Sequence, residues 1–451
     1  MINRRLQPPI DENMLEFHLP NAAVNTLPNG LTVISFERSD IPKIYYRVGL
    51  LAGEKLDPQG LSGSMDMMST LMKKGTRSRN YQQFVEEIDF TGGSLGASTS
   101  KDFFYGYGEF LSEFAETGLE LLADMFCNPV FPEKEVALEL ERAIVNLENE
   151  KSSSAYIGRK FMARQLYSPH AYGNFPDAET LAAINPQGLQ QLHQANIKPS
   201  GSFVVIAGNI SEKQAMDLAA KAFSNWQGTA PIIDLNTEPI YVPDVLFIDR
   251  PGSVQSSVSF GVPLFARKDE RYSRTLVSNQ ILGGGSSGRL FLTLREEKGL
   301  TYGAYSSLDV YCDTGSWIAS AEVRSDSTGE AIDGFLDEFA RMRDSRASAA
   351  ELQSAKRYLA GAFPMRCETP SGMANLFLLQ SLYGFSDNYW NRYLDDLETV
   401  TVEDVQQTAQ EFLTEQRMQI VVVGDAETVI PQLGRFETLR VVDIEGNEKS
   451  A

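Results

Sequence analysis

The hydrophobic positions in the first half of the chain form two kinds of pattern, short apolar runs and longer stretches with helical spacing. The short runs predict β-strands; they cover residues 31–36, 43–51, 94–98 and 103–110. Spacing near 3.6 residues predicts helices; it is found at residues 62–73, 81–90, 114–126 and 133–167. Strands joined by short turns, together with runs of helices, predict an α+β fold in which helices pack on one face of a mostly antiparallel sheet.

The second half of the chain repeats the first. Three pairs of matching segments share an offset of 216 positions: residues 203–208 with 419–424, residues 181–184 with 397–400, and Glu135 with Glu351. A shared offset is harder to obtain by chance than the few identities within each pair. It therefore predicts two tandem homologous domains.

A proline-rich segment without periodicity separates the two repeats. Residues 229–243 contain Pro231, Pro239 and Pro243, which favour an extended connection. We therefore predict an N-terminal domain over residues 1–228, a linker over 229–243 and a C-terminal domain over 244–451.

The overall charge and the cysteine content restrict the possible partners. The chain has 60 acidic and 40 basic residues and a formal net charge of −20, which disfavours nucleic acid as a partner. Cys127, Cys312 and Cys367 form no CxxC pair and predict buried or half-buried free thiols. There is no signal-peptide pattern and no apolar run of about 18 residues. We therefore expect a cytoplasmic protein without a membrane segment.

The segment from Gly283 to Gly303 contains the most specific pattern in the chain. A glycine/serine loop, with Gly285, Ser286 and Ser287 at its centre, precedes a predicted short helix over residues 289–298. Gly299 stands where a helix C-cap favours a left-handed residue. Tyr302 would then open a strand, so that Arg295 and Tyr302 are expected to approach one carbonyl group.

A second pattern in this segment suggests a nucleotide site, but its context does not fit. Gly283, Gly285 and Gly288 satisfy G-x-G-x-x-G, which needs a strand immediately before it. Residues 272–282 have helical spacing instead. We therefore do not expect a dinucleotide site.

Two motifs make the chain resemble the pitrilysin/insulinase family of zinc metallopeptidases, which includes mitochondrial processing peptidase. They are the Lys-Gly-Thr at residues 74–76, after an apolar helix, and the "LRE" and "GL-Y" elements around Arg295 and Tyr302. The resemblance implies that Arg295 and Tyr302 hold the substrate backbone and the forming oxyanion. It also implies that Gly285, Ser286 and Ser287 contribute to substrate binding, and that residues 94–98 match the family's substrate-binding edge strand.

The same resemblance implies that the zinc site is degenerate in this chain. Family enzymes carry H-x-x-E-H on the helix before Lys-Gly-Thr, and these positions fall on Asp66, Ser69 and Thr70. The third ligand falls on Glu148, with Glu141 two helical turns earlier. Serine is no base at neutral pH and threonine is a poor zinc ligand. The three histidines of the chain, His18, His170 and His193, lie away from this helix and more than four residues apart.

These features predict a non-catalytic, substrate-binding subunit of a heterodimeric zinc metallopeptidase. We expect no cofactor in this chain and zinc in a related H-x-x-E-H partner. Unstructured peptides are the expected substrates, and a homodimer is possible for the isolated chain. Two alternatives stay open: a structural core subunit without a peptidase role, and a stand-alone metallopeptidase with an atypical site built on Asp66, Glu141 and Glu148.

Overall fold

The computed structural model describes residues 17–230 and 244–449, and within them twelve strands form the framework. In chain order they are β1 Ala23–Thr26, β2 Thr32–Glu37, β3 Lys43–Leu50, β4 Ser94–Thr99, β5 Phe104–Leu111, β6 Phe203–Gly208, β7 Val245–Asp249, β8 Gln255–Leu264, β9 Thr301–Val310, β10 Gly315–Arg324, β11 Gln419–Gly424 and β12 Arg440–Asp443. The strands predicted in the first half are therefore confirmed. The sequence-based predictions contain no counterpart of β1, β7, β8, β10 or β12.

Helices connect these strands. In chain order they are α1 Ser64–Leu71, α2 Tyr81–Thr91, α3 Ala115–Cys127, α4 Glu133–Glu150, α5 Ser154–Tyr167, α6 Ala178–Ala182, α7 Pro186–Asn196, α8 Glu212–Ala222, α9 Tyr272–Leu282, α10 Arg289–Phe291, α11 Thr328–Asp344, α12 Ala349–Arg366, α13 Pro370–Tyr383, α14 Tyr389–Glu398, α15 Val402–Phe412 and α16 Ala426–Val429. Among the described helices, none combines the length and the apolar character that a membrane crossing needs.

The described strands form two six-stranded sheets whose topologies match except at the edge strands β1 and β12. Their orders are β1-β2-β6-β3-β5-β4 and β12-β7-β11-β8-β10-β9. The pairs β2–β6, β7–β11 and β7–β12 are parallel, and the other pairs are antiparallel. This confirms the predicted α+β class with two tandem, mostly antiparallel domains.

The element positions confirm the duplication. Glu133 and Ala349, the first residues of α4 and α12, are 216 positions apart, and so are Phe203 and Gln419, the first residues of β6 and β11. The helix pairs α5 with α13 and α7 with α15 keep the same offset. The linker predicted over residues 229–243 lies, from residue 231 onward, outside the described residues, so the domain boundaries stay a prediction.

Each sheet is also covered by a helix from the other half. α5 packs on β8 and β11 of the second sheet, and α13 packs on β3 and β6 of the first. In β6, Val204 and Ile206 face a core formed by the first half, whereas Val205 and Ala207 face the core that contains α13. The prediction of helices on one face is therefore incomplete, because the central strands are buried on both faces, as their continuous apolar runs require.

The helix exchange depends on a break in the predicted helical stretch 133–167. Residues 151–153 interrupt it, and the Ser153 side chain accepts a hydrogen bond from the Tyr156 backbone N–H at 3.2 Å, which caps α5. α5 then crosses to the second sheet, where a Cβ on Gly261 would lie 2.5 Å from the Met162 sulfur. Glycine at position 261 thus permits the close approach of helix and strand.

A buried group of polar side chains joins the turn between β9 and β10 to the first half. Lys55 Nζ lies 2.9 Å from both Asp102 Oδ1 and Asp313 Oδ2. The Tyr172 hydroxyl lies 2.5 Å from Asp102 Oδ1, and the Cys312 backbone N–H donates to Asp102 Oδ2 at 2.7 Å. Asp102 is 1% exposed, so this charged contact between the halves is shielded from water. We call these residues the interdomain network.

Candidate functional site

Helix α1, where the family resemblance would place zinc ligands, is held by a buried carboxylate. Asp57 accepts hydrogen bonds from the backbone N–H groups of Gly63 at 2.7 Å and Met65 at 2.8 Å. Burial raises the pKa of Asp57 to about 7, although these two hydrogen bonds oppose the shift. The apolar face of α1, including Met65 and Met68, is buried against the first sheet. These contacts thus fix the residue at which α1 begins and the face that the helix turns away from the sheet.

The exposed face of α1 lines a cavity of about 530 Å³ between α1 and α4. Asp66 and Thr70 both line it. Ser69 does not, because its hydroxyl is buried and donates to the Asp66 carbonyl oxygen at 2.8 Å. Burial, and then the nearby carboxylates of Glu54 and Glu139, raise the pKa of Asp66. The cavity therefore has an acidic wall.

The structure corrects the predicted grouping of Glu148 with Asp66 and Thr70. Five residues of α4 line the cavity: Glu139, Ala143, Asn146, Leu147 and Glu150. Glu148 is not among the lining residues, its side chain is 58% exposed, and it forms an ion pair with Lys151 at 2.8 Å. At about 100° per residue, Glu148 is on the side of the helix opposite Glu139. Sequence spacing alone did not reveal this rotation of α4.

The residues at this position do not fit a zinc ion. Zinc is bound in proteins by histidine nitrogen, cysteine sulfur and carboxylate oxygen, usually in sets of three or four. Over residues 17–230 and 244–449, no three such side chains are grouped so as to hold a metal ion. His193 is used elsewhere, with Nε2 2.7 Å from the Phe126 carbonyl oxygen. The atypical metal site considered for Asp66, Glu141 and Glu148 is therefore not assembled.

The glycine/serine loop follows a helix, as the sequence pattern predicts. α9 ends at Leu282 and the loop begins at Gly283, so the context that a dinucleotide-binding glycine motif requires is missing. Close packing explains Gly283, where a Cβ would lie 2.7 Å from the Ser306 backbone nitrogen. Ser286 and Ser287 at the tip are exposed. Their predicted contact with substrate stays a prediction.

The helix that carries Arg295 is wider than predicted. After α10, residues Leu292–Glu297 form a π-helix, with the Lys298 N–H donating to the Thr293 carbonyl at 3.0 Å. Gly299 has φ +65°, which confirms the left-handed C-cap. Two contacts hold this segment: Arg289 Nε donates to the half-buried Glu351 at 2.7 Å, and the Thr293 hydroxyl donates to the buried Glu338 at 2.7 Å.

Arg295 and Tyr302 are both available to a ligand, but they lie in different surroundings. The Arg295 side chain is 43% exposed, lies 4.9 Å from the Phe291 ring centroid and is 3.4 Å from Glu296. Tyr302, the second residue of β9, is 89% exposed and lines a cavity of about 630 Å³ on the second sheet. Arg295 is not among the lining residues of that cavity.

Two aromatic rings connect Arg295 with the cavity of Tyr302. The Phe291 ring, over which Arg295 lies, is 5.6 Å from the ring of Tyr305, and Tyr305 lines the cavity. The approach of Arg295 and Tyr302 to one carbonyl group stays a prediction. Sequence reasoning missed Arg159 and Asp309 in the same cavity. Arg159 reaches it only through the exchange of α5, and Asp309 lies on β9 beside it.

Comparison with known proteins agrees with this architecture. The model of the insulinase family (peptidase family M16) matches residues 33–181, and that of the peptidase M16 inactive domain matches residues 183–359. The uncharacterized zinc protease YmxG of Bacillus subtilis is 24% identical over 394 residues, which are 86% of this chain and 95% of that protein. The uncharacterized zinc protease ML0855 of Mycobacterium leprae is 26% identical over 404 residues, or 86% and 88%.

Solved structures show the same fold. A peptidase M16 inactive domain from Pseudomonas fluorescens superposes with a TM-score of 0.84 at 22% identity, over 90% of this chain and 98% of that one. A protease from Helicobacter pylori gives a TM-score of 0.82 at 20% identity, over 90% and 100%. With both family models matched in tandem, and with no histidine or glutamate at the H-x-x-E-H positions, the chain belongs to the insulinase (peptidase M16) family and is of its inactive-domain type.

Proposed function

We propose that this chain is the substrate-binding subunit of a two-chain zinc peptidase and contributes Arg295 and Tyr302 to a zinc site on its partner. One observation carries the proposal: α1 presents Asp66 and Thr70 to its cavity and buries Ser69, in a fold whose relatives are called zinc proteases. A helix with these side chains lacks both the imidazole ligands and the base that activates water.

The exposure of the Arg/Tyr pair supports a role toward an external ligand. In the described residues, the Tyr302 hydroxyl has no hydrogen bond, and the ion pair of Arg295 with Glu296 is exposed on both sides. A guanidinium group and a phenol hydroxyl can both donate hydrogen bonds to a peptide carbonyl oxygen. Donors of this kind stabilise the charge that develops on such an oxygen in the transition state.

The expected partner is a related chain that carries H-x-x-E-H, with zinc bound in that chain. The expected substrates are unstructured peptides, which bind in extended form through backbone contacts. Each chain would supply what the other lacks, so neither is expected to cleave peptides efficiently alone.

The test is reconstitution. This chain is co-expressed with an H-x-x-E-H relative from the same genome, and turnover of an unstructured peptide is measured for each chain and for the complex. We expect chelator-sensitive cleavage by the complex. Arg295→Ala is expected to lower kcat about 100- to 1,000-fold, as loss of one oxyanion donor does, and Tyr302→Phe is expected to lower kcat in the same direction.

Two exposed residues away from this segment serve as controls. Arg346, which forms an ion pair with Glu403, and Tyr358 on α12 are 63% and 57% exposed. Arg346→Ala and Tyr358→Phe are expected to leave turnover unchanged. Chelator-sensitive cleavage by the isolated chain would overturn the proposal, and so would a fully active complex containing Arg295→Ala.

A further inference from the structure

The cavity that contains Tyr302 has a polar floor, formed by the face of the second sheet on which α5 packs. In one row of paired residues across β8, β10 and β9, Phe260, Ala319 and Ser306 are buried and do not line the cavity. Their neighbours Ser259, Ser320 and Tyr305 also form a row, and all three line the cavity. The next row on this face includes Ser307, and the one before it includes Ser257. Ser257 and Ser259 are buried beneath α5, whereas Tyr305, Ser307 and Ser320 are exposed. The floor is therefore a hydroxyl-rich strip that runs along the strands.

A helix from the first half forms the wall of this cavity. α5 contributes Ala155, Arg159 and Met162 to the lining. It approaches the floor closely at Gly158, where a Cβ would lie 3.3 Å from the Ser257 hydroxyl oxygen. Arg159 is exposed, and its guanidinium carbon lies 5.8 Å from the centroid of the Tyr156 ring. Arg159, which belongs to the N-terminal half, thus lies over the sheet of the C-terminal half.

Several polar groups of this cavity have no partner within the described part of the chain. Within residues 17–230 and 244–449, the hydroxyl groups of Ser257, Ser259, Ser307 and Ser320 form no hydrogen bond, and the side chains of Arg159 and Asp309 form neither a hydrogen bond nor an ion pair. Burial raises the pKa of Asp309, and the charge of Arg159 opposes that shift. The two groups thus interact electrostatically without forming an ion pair. Unpaired donors and acceptors on a protected surface are typical of a binding site.

We propose that this cavity binds an extended peptide segment and that Arg159 receives a carboxylate of that segment. The inference rests on the proposed function for the choice of a peptide as ligand, and it adds a preference for peptide carboxylates. The binding surface is complete in this chain. It therefore needs no zinc and no partner.

The spacing of the floor suits an extended peptide. Tyr305, Ser307 and Asp309 lie two positions apart along β9 and all line the cavity, so their polar groups repeat about every 6.6 Å. Alternate residues of an extended peptide have the same repeat. From Tyr302 to Asp309 the strip extends over seven residue steps, roughly 23 Å.

In the described structure, Arg159 is the only basic residue that lines this cavity. Two acidic residues, Asp309 and Glu322, also line it. A guanidinium group binds a carboxylate through two parallel hydrogen bonds, whereas a lysine would act as a point charge. Arg159 is close enough to Asp309 for its charge to act on the pKa of Asp309. The negative charge of Asp309 therefore lowers the attraction of this site for anions. Its removal should therefore strengthen carboxylate binding.

The test measures binding to the isolated chain by calorimetry with three eight-residue unstructured peptides. The first has a free C-terminal carboxylate and no acidic side chain. The second is amidated and has one central glutamate, and the third is amidated and has glutamine at that position. We expect the first or the second to bind about 10- to 100-fold more tightly than the third, as for hydrogen bonds to charged groups. The tighter of the two identifies the source of the carboxylate.

Variants of one helix separate this role from folding. Arg159→Gln is expected to abolish the preference for carboxylates, while Arg164→Gln, on the same helix but outside the cavity lining, keeps it. Asp309→Asn is expected to raise the affinity for the carboxylate peptide. Thermal unfolding of each variant checks that the fold is retained.

Three outcomes would overturn the inference: equal affinity for all three peptides, no binding of any of them, or an unchanged preference in Arg159→Gln. None of these changes the reconstitution result for Arg295. The proposed function can therefore survive the failure of this inference. Conversely, this chain could bind peptides in a carboxylate-dependent way and yet not increase the turnover of any zinc-bearing partner. That result would support the binding site and contradict the peptidase role.

Discussion

Replacing Asp102 by asparagine removes a negative charge from the interdomain network at almost constant volume. Asp102 bonds to Lys55 at 2.9 Å, to the Tyr172 hydroxyl at 2.5 Å and to the Cys312 N–H at 2.7 Å. Asparagine keeps one acceptor oxygen but places an NH₂ donor where the other oxygen was, so either Lys55 and Tyr172 or the Cys312 N–H loses its acceptor. The variant therefore leaves Lys55 with Asp313 as its remaining carboxylate partner.

The expected loss is about 3 kcal/mol in the free energy of unfolding. Removal of one member of a buried ion pair costs about 3–5 kcal/mol, because the other charge is left uncompensated. Lys55 and Asp102 are 8% and 1% exposed, so this range applies. The lower end is expected because Asp313 Oδ2 still lies 2.9 Å from Lys55 Nζ. Domains are stable by about 5–15 kcal/mol in total, so the effect is large.

Urea denaturation at pH 7 measures this loss, and hydrogen exchange locates it. The Cys312 amide, which donates to Asp102, should exchange faster in the variant, together with the amides of the β9–β10 turn. Asp326→Asn is the matched control, because Asp326 pairs with Arg324 at 3.2 Å on the surface. This control should not change the denaturation midpoint.

A double-mutant cycle with Lys55→Met decides whether the charges act together. If they do, the two losses should differ from additivity by about 0.5–3 kcal/mol, as for residues in direct contact. A loss below about 0.5 kcal/mol for Asp102→Asn, the size of an ordinary surface substitution, would refute the reasoning. Unchanged exchange of the Cys312 amide would do the same.

Two further predictions concern the segment that carries Arg295. Burial alone would raise the pKa of Glu351, but hydrogen bonds from Arg289 and Ser348 lower it to about 2; a lowered pKa contributes stability above the unfolded value of about 4.3. The stability difference between the wild type and Glu351→Gln should therefore be largest near neutral pH and shrink as pH falls from about 4.3 to about 2, and a pH-independent difference in urea titrations would contradict this. Gly299→Ala should destabilise the chain by about 1 kcal/mol, because φ is +65° there, whereas Gly361→Ala, inside helix α12 with open space at its Cβ, should not destabilise it; equal urea midpoints for the two variants would show that position 299 is not strained.

Much of the fold could be predicted because it depends on local patterns. The apolar runs of β6 and β11 and the helical spacing of α3 and α9 are local, and the duplication is visible as a constant offset. The left-handed Gly299 was predictable for the same reason. Chemistry at α1 was also accessible, since residue types alone exclude imidazole ligands at positions 66 and 70.

The face that each residue of α4 presents could not be predicted in the same way. Glu148 was grouped with Asp66 by counting along the chain, but packing of Val136 and Leu147 into the first core turns Glu139 and Asn146 toward the cavity. A rotation of about 100° per residue makes an error of one or two positions decisive. The π-helix at Arg295 was likewise beyond local spacing.

The sequence by itself determined which side chains are available: it has no histidine pair on α1, and it has Arg295 and Tyr302 seven residues apart. It also determined that one α+β unit occurs twice. Only the tertiary structure decided that α5 and α13 exchange sheets, and thereby that Arg159 lies over the floor of the Tyr302 cavity. The physical reason is that a strand buried on both faces specifies how much apolar surface must be covered, but not which helix covers it. That choice depends on long-range packing, such as the fit of Met162 against Gly261.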